Sequence, residues 1–130
     1  MRDVLCRIAV ALCLAGVGWV HAELYLGGYR QIAYVGPAFL VLASGSFAVA
    51  VLLLVSGSPV LRLLAVGLAL GALGGFVMSR TVGIFGFVER GLQPAPQAIL
   101  SLLFEIIVVA IVVVSWRILG MPGKRPIDVP

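Results

Sequence analysis

One carboxylate sits where a carboxylate is costly. Glu105 lies within residues 98–119, a run composed almost entirely of Leu, Ile, Val, Phe and Ala. If that run is a helix, Glu105 lies about 10 Å along its axis from Ala98. An ionised group at such a depth in a bilayer costs up to about 3 kcal/mol unless it is protonated or paired, and such groups face a bundle interior. Arg80, at the end of the preceding apolar run, is placed to pair with it, and Ser101, one turn before Glu105, extends the same polar stripe. The expectation is a coupled intramembrane pair, Arg80 with Glu105. It would serve either as a structural pin for helix register or as a site for protons, a solute, a lipid headgroup or a quinone.

Five further polar residues, His21, Glu23, Arg30, Glu89 and Arg90, fall near the same ends of the apolar runs and form a candidate outer polar cluster. His21 is the sole histidine. Imidazole titrates near neutral pH and binds metals, but one ring does not build a site. His21 and Glu23, two apart on a helix, do not face each other. Cys6 and Cys13 lie seven residues apart, about 10 Å along a helix, too far for a disulfide. They form no paired-cysteine zinc motif, so neither a metal nor a cofactor is expected. No serine stands in a GxSxG or SxxK setting, and Gly83-Ile84-Phe85-Gly86-Phe87 lacks the Lys and Ser/Thr of a phosphate loop. The chemistry therefore leans away from an enzyme.

The elements that must hold these residues are membrane helices. Of the 130 residues, 62% are hydrophobic and 11% charged, and the mean hydropathy is +1.22. A soluble fold has no interior large enough for that much apolar surface. The spacing of apolar runs and breakers predicts four spans, at about 4–26, 36–55, 60–79 and 98–119. Gly27-Gly28, Pro37, Ser56-Gly57-Ser58-Pro59 and Pro94/Pro96 punctuate them. The regular second helix is expected to begin at Pro37. The fold class is thus an all-α integral membrane four-helix bundle. The loop of about 80–97, apolar but too short to span, is expected to lie at the interface or fold back over the bundle. The tail 120–130, with nothing to bury, is expected to be cytoplasmic and disordered.

Within the third span Gly67, Gly71, Gly75 and Ser79 recur every four residues, which lays a groove of small side chains along one face. In lipid such a groove marks close helix packing. A cleaved signal peptide is the competing reading of residues 1–22, since Val20-His21-Ala22 has small residues where a peptidase cuts. Retention is preferred because it gives an even number of spans. Arg2, Arg7, Arg62, Arg117, Lys124 and Arg125 fall on one set of ends, and Arg30, Arg80 and Arg90 on the other. Six against three places both termini inside the cell membrane. The net charge of +4 is scattered over these ends rather than clustered on one face, which excludes nucleic acid as a partner. The expected partners are membrane lipid and other membrane subunits or a second copy.

The order of His21-x-Glu23-Leu24-Tyr25, Gly28-Tyr29-Arg30, Gly36-Pro37, the stretch from Ser79-Arg80-Thr81-Val82-Gly83 to Gly86-Phe87-x-Glu89, and a glutamate in the last span resembles a group of uncharacterised four-span membrane proteins of actinobacteria. The resemblance extends to about Gly120 and implies a four-span fold without implying an activity. More distantly, the architecture resembles the DoxX-like superfamily, some of whose members are linked to quinone-dependent redox chemistry. Two functional expectations follow: a non-enzymatic accessory or assembly protein of a larger membrane complex, or a small transporter or quinone/redox-linked protein using Glu105 as a protonatable site.

Overall fold

Helix starts and stops follow local chemistry closely. The computed structural model describes residues 1–119, so the expectation for the tail 120–130 lies outside the described residues. Four helices are present: α1 (Arg2–Leu26), α2 (Val35–Val55), α3 (Pro59–Arg80) and α4 (Gln97–Leu119), with a short 3-10 turn at Tyr29–Gln31. Each lies within two residues of its expected span. Among the described residues there is no β-strand, only an isolated bridge between Ile84 and Phe87.

α1 runs through His21 to Leu26 and ends at Gly27, whose N–H donates to the Glu23 carbonyl at 2.8 Å. α3 begins with Pro59 in its first turn, and the Ser58 hydroxyl accepts from the Val60 N–H at 3.3 Å, filling one of the unpaired donors of a helix start. α2 begins at Val35, two residues before the expected Pro37. The proline still sits in the first turn, where a missing N–H forfeits no helical bond. Gly36 is required there: a Cβ would come within 2.9 Å of the backbone of Tyr29 and Arg30, so only glycine lets the 3-10 turn lie against the start of α2.

Around the bundle, α1 packs on α2 and α4, α3 packs on the other sides of those two helices, and α1 and α3 lie across the diagonal. The best-packed apolar core joins Val10, Leu14, Leu53, Ala65, Ala69 and Val108, all in the half that holds the start of α1 and the end of α2. Polar contacts pin that end. Arg7 donates to the carbonyls of Leu53 at 2.9 Å and Leu54 at 3.0 Å, satisfying acceptors that the end of α2 leaves open, and the buried Arg62 pairs with Asp3. Ser115 and Val112 of α4 line the same small void as Cys6 and Arg7, so both ends of the described chain lie at one end of the bundle.

Leu12, Trp19, Val51, Leu54, Leu63 and Ile106 all point outward and are exposed. An apolar exterior is the inverse of a soluble bundle. All four helices are long and apolar enough to cross a membrane. The shortest, α2, has 21 residues and reaches about 31 Å, against a hydrocarbon core of about 30 Å.

The expected glycine groove corrects itself here. Nothing in the chain lies within 4 Å of a Cβ built on Gly67 or Gly71, and Gly75 meets only the Ile84 side chain, at 4.0 Å. The buried face of α3 is instead Arg62, Ala65, Ala69, Ala72 and Ser79, so of the four groove residues only Ser79 is buried. Close helix approach falls to α1. A Cβ on Gly16 would lie 2.7 Å from the Phe104 ring of α4, and one on Gly18 would lie 3.1 Å from the Ala43 carbonyl oxygen of α2.

Candidate functional site

The half of the bundle away from the termini is not filled by side chains. Small residues on α3 (Gly71, Ala72, Gly75) and on α2 (Ala38) leave a cavity of about 170 Å³, bordered by all four helices and by the 81–96 loop. For scale, an apolar cavity of about 150 Å³ holds a benzene ring. The walls are aromatic and aliphatic, with Phe39, Phe76, Tyr29 and Phe87 among them.

Glu105 lies in this wall and is 1% exposed. The expected pairing with Arg80 is not formed. The one hydrogen bond to the Glu105 carboxyl among the described residues comes from the Ser101 hydroxyl, one turn away, to Oε1. The polar stripe of Ser101 and Glu105 is therefore present, but its cation lies elsewhere.

Arg80 is committed to the loop. Its guanidinium pairs with Glu89 at 2.9 Å, donates to the carbonyls of Gly91 at 3.0 Å and of Gln93, and to the Ser79 hydroxyl, while its carbon centre lies 3.8 Å above the Phe76 ring. Arginine is suited to this role because its forked donors can serve several acceptors at once. A compact turn delivers Glu89 to it. Gly83 and Gly86 adopt φ of +82° and +83°, conformations that side-chain-bearing residues rarely take, and the Glu89 N–H donates to the Ser79 carbonyl at 2.9 Å. The loop thereby folds back over the cavity, the second of the two dispositions expected for it.

Tyr29 completes the cover. Its hydroxyl donates to Glu89 Oε1, and its ring stacks on Phe39 at 4.9 Å and meets Phe87 edge-on at 5.9 Å. Burial, reinforced by the hydrogen bond to Glu89, pushes its phenol well above the usual tyrosine range. Tyr29 was not among the candidates read from the sequence. Nothing local in the sequence distinguishes it from Tyr25 or Tyr34.

The expected outer polar cluster divides. His21 and Glu89 border the cavity, whereas Glu23, Arg30 and Arg90 are exposed and form no side-chain hydrogen bond or ion pair among the described residues. The His21 ring is buried, packs edge-on against Phe39 at 5.1 Å and uses Nδ1 on the Val17 carbonyl at 2.9 Å. A carbonyl only accepts, so in the neutral ring the proton sits on Nδ1 and Nε2 is left as an acceptor. Among the described residues no three of His, Cys, Asp and Glu come together as metal ligands, and Cys6 and Cys13 are free thiols.

Fold and site together define a four-helix protein whose helices are all long and apolar enough to cross a membrane, with an aromatic-walled cavity and a buried carboxyl. Comparison with protein-family models, with curated proteins and with solved structures finds no match.

Proposed function

We propose that this is a multi-pass cell-membrane protein with both termini in the cytoplasm that binds or carries a small solute in its outer half, using Glu105 as the protonatable group. The orientation rests on the six-to-three bias of basic residues. The single observation that carries the function is the placement of Glu105: fully buried, in the wall of a ring-sized cavity, with only a serine hydroxyl as partner. A structural ion pair would have been closed by a cation from the chain, yet the cavity's arginine is spent on Glu89. Ionisable groups retained inside a membrane at this expense belong to ion and solute paths more often than to packing. A quinone/redox-linked role uses the same site. The resemblance to four-span actinobacterial proteins is compatible with either.

Hydrophobic carbodiimide labelling tests the reading. Dicyclohexylcarbodiimide modifies protonated carboxyl groups in apolar surroundings, and a single adduct at Glu105, absent from Glu105→Gln, is the expected intact-mass result. Labelling confined to Asp3, Glu23 or Glu89 would remove Glu105 from any exchange path.

A second reading, an accessory or assembly protein, draws support from the open space over Gly67 and Gly74 on α3, a surface a partner span could cover. It predicts a defined complex in a mild-detergent pull-down that survives Glu105→Gln and is lost in Gly67→Leu.

A further inference from the structure

The hydrogen-bonding balance of the cavity is one-sided. Apart from the hydroxyl of Tyr34, a residue 66% exposed at the rim, the side-chain donors at its wall are engaged: Arg80 on Glu89 and on two loop carbonyls, Tyr29 on Glu89, Ser101 on Glu105, and Ser79 on the Phe76 carbonyl at 2.9 Å. Two acceptors are not. Glu105 Oε2 and His21 Nε2 have no protein partner among the described residues, and both side chains are more than nine-tenths buried at the cavity wall. Arg80 and Glu89 cancel in charge, so an ionised Glu105 leaves the cavity one negative charge in excess. The remaining walls are aliphatic and aromatic, Phe39, Phe76 and Phe87 among them, and suit an apolar body.

From this we propose that the occupant is a protonated amine carrying an apolar body of about one aromatic ring, whose ammonium N–H groups donate to Glu105 and His21. The inference rests on the small-solute reading above and names its substrate class. Carboxylates and phosphates are disfavoured, since they would bring a second negative charge beside Glu105 and find, among the described residues, no cationic donor that is not already paired. A neutral alcohol can satisfy one acceptor but leaves the carboxylate without a counter-charge. The ammonium and a proton are therefore alternative neutralisers of one carboxyl: when the amine binds, Glu105 gives its proton to solvent, and when the amine leaves, a proton returns. No bond other than that O–H is made or broken.

Three isosteric probes on the full-length protein in lipid nanodiscs decide the matter by calorimetry near neutral pH: phenethylamine, 2-phenylethanol and phenylacetate. The expected order is amine tightest, alcohol weaker by about tenfold or more, and acid without measurable binding, since a charged hydrogen bond contributes about 1.5 to 3 kcal/mol and about 1.4 kcal/mol is tenfold in affinity. Glu105→Gln should cost the amine that same factor and the alcohol clearly less, and a thermal melt in nanodiscs matching the wild type's checks that the variant folds. His21→Phe should weaken the amine a few-fold. Buffer-dependent heats should report proton release on amine binding in the wild type and none in Glu105→Gln. Alcohol or acid binding as tight as the amine, or an amine affinity indifferent to Glu105→Gln, would overturn the amine inference while the small-solute reading stands. Binding of none of the three would overturn both.

Discussion

Arg80 has two carboxylates within its region and takes Glu89. Depth along the helix suggests Glu105, since both lie in the same half of the bundle, but a guanidinium with several fixed donors is best served by a cluster of acceptors. The loop offers Glu89 together with the carbonyls of Gly91 and Gln93. The pairing is legible only once the 81–96 loop is known to fold back, and that depends on positive-φ glycines rather than on charge order. Both partners are largely buried, at 14% and 17% side-chain exposure. Glu89→Ala is expected to destabilise the protein by about 2 kcal/mol, because it strands the arginine. In thermal or denaturant unfolding in detergent, the Arg80/Glu89 double-mutant cycle should show about 1 kcal/mol or more of coupling and exceed that of Arg80/Glu105. The reverse ranking would restore the pairing that the sequence suggests. Tyr29→Phe removes the hydroxyl that donates to Glu89 and should cost about 1 kcal/mol. Because folding raises the Tyr29 phenol above its ordinary value, this contribution is complete below about pH 10 and declines as pH rises beyond it. Tyr29→Phe should accordingly flatten the alkaline limb of the stability profile.

At the scale of helices, periodicity reveals which residues share a face but not which face meets a neighbour. Gly67, Gly71 and Gly75 do share one, but within the chain α3 turns its alanine face inward and leaves Gly67 and Gly71 in open space. The glycines that allow close approach, Gly16 and Gly18, sit two apart on α1 and touch different helices, α4 and α2. A single-face pattern has no signature for such a pair, because each answers to its own neighbour. The consequence is a contrast between variants. Gly18→Leu meets the Ala43 backbone, which cannot swing aside, and should cost about 1 to 3 kcal/mol, whereas Gly67→Leu should change monomer stability by less than about 0.5 kcal/mol. Thermal melts of the two proteins in one detergent compare them directly. A larger loss at Gly67 would mean that a second chain covers that face.

For the whole molecule, the number and bounds of the helices are legible because long apolar runs broken by Gly, Pro and Ser leave few other readings. The division of labour between the two halves is not. One half is packed on Leu14, Leu53 and Val108 and pinned by Arg7 and by Arg62 with Asp3, and the other holds a partly open cavity. That division arises from side-chain volumes summed over four helices, which no single window of sequence records. Orientation has its own test. With Cys6 and Cys13 replaced, cysteines at Gly28 or Gln93 should react with an impermeant maleimide added outside intact cells, and one at Gly123 should not. The opposite pattern would invert the bundle and put the cavity on the cytoplasmic side. The claim on which the functional account turns is that Glu105 exchanges a proton from within the cavity. Infrared difference spectra of the protein in nanodiscs, titrated from acid to alkaline pH, report this most directly. The account predicts a carboxylic-acid C=O band that gives way to carboxylate as pH rises and is missing from Glu105→Gln. Identical spectra from the wild type and Glu105→Gln would contradict it.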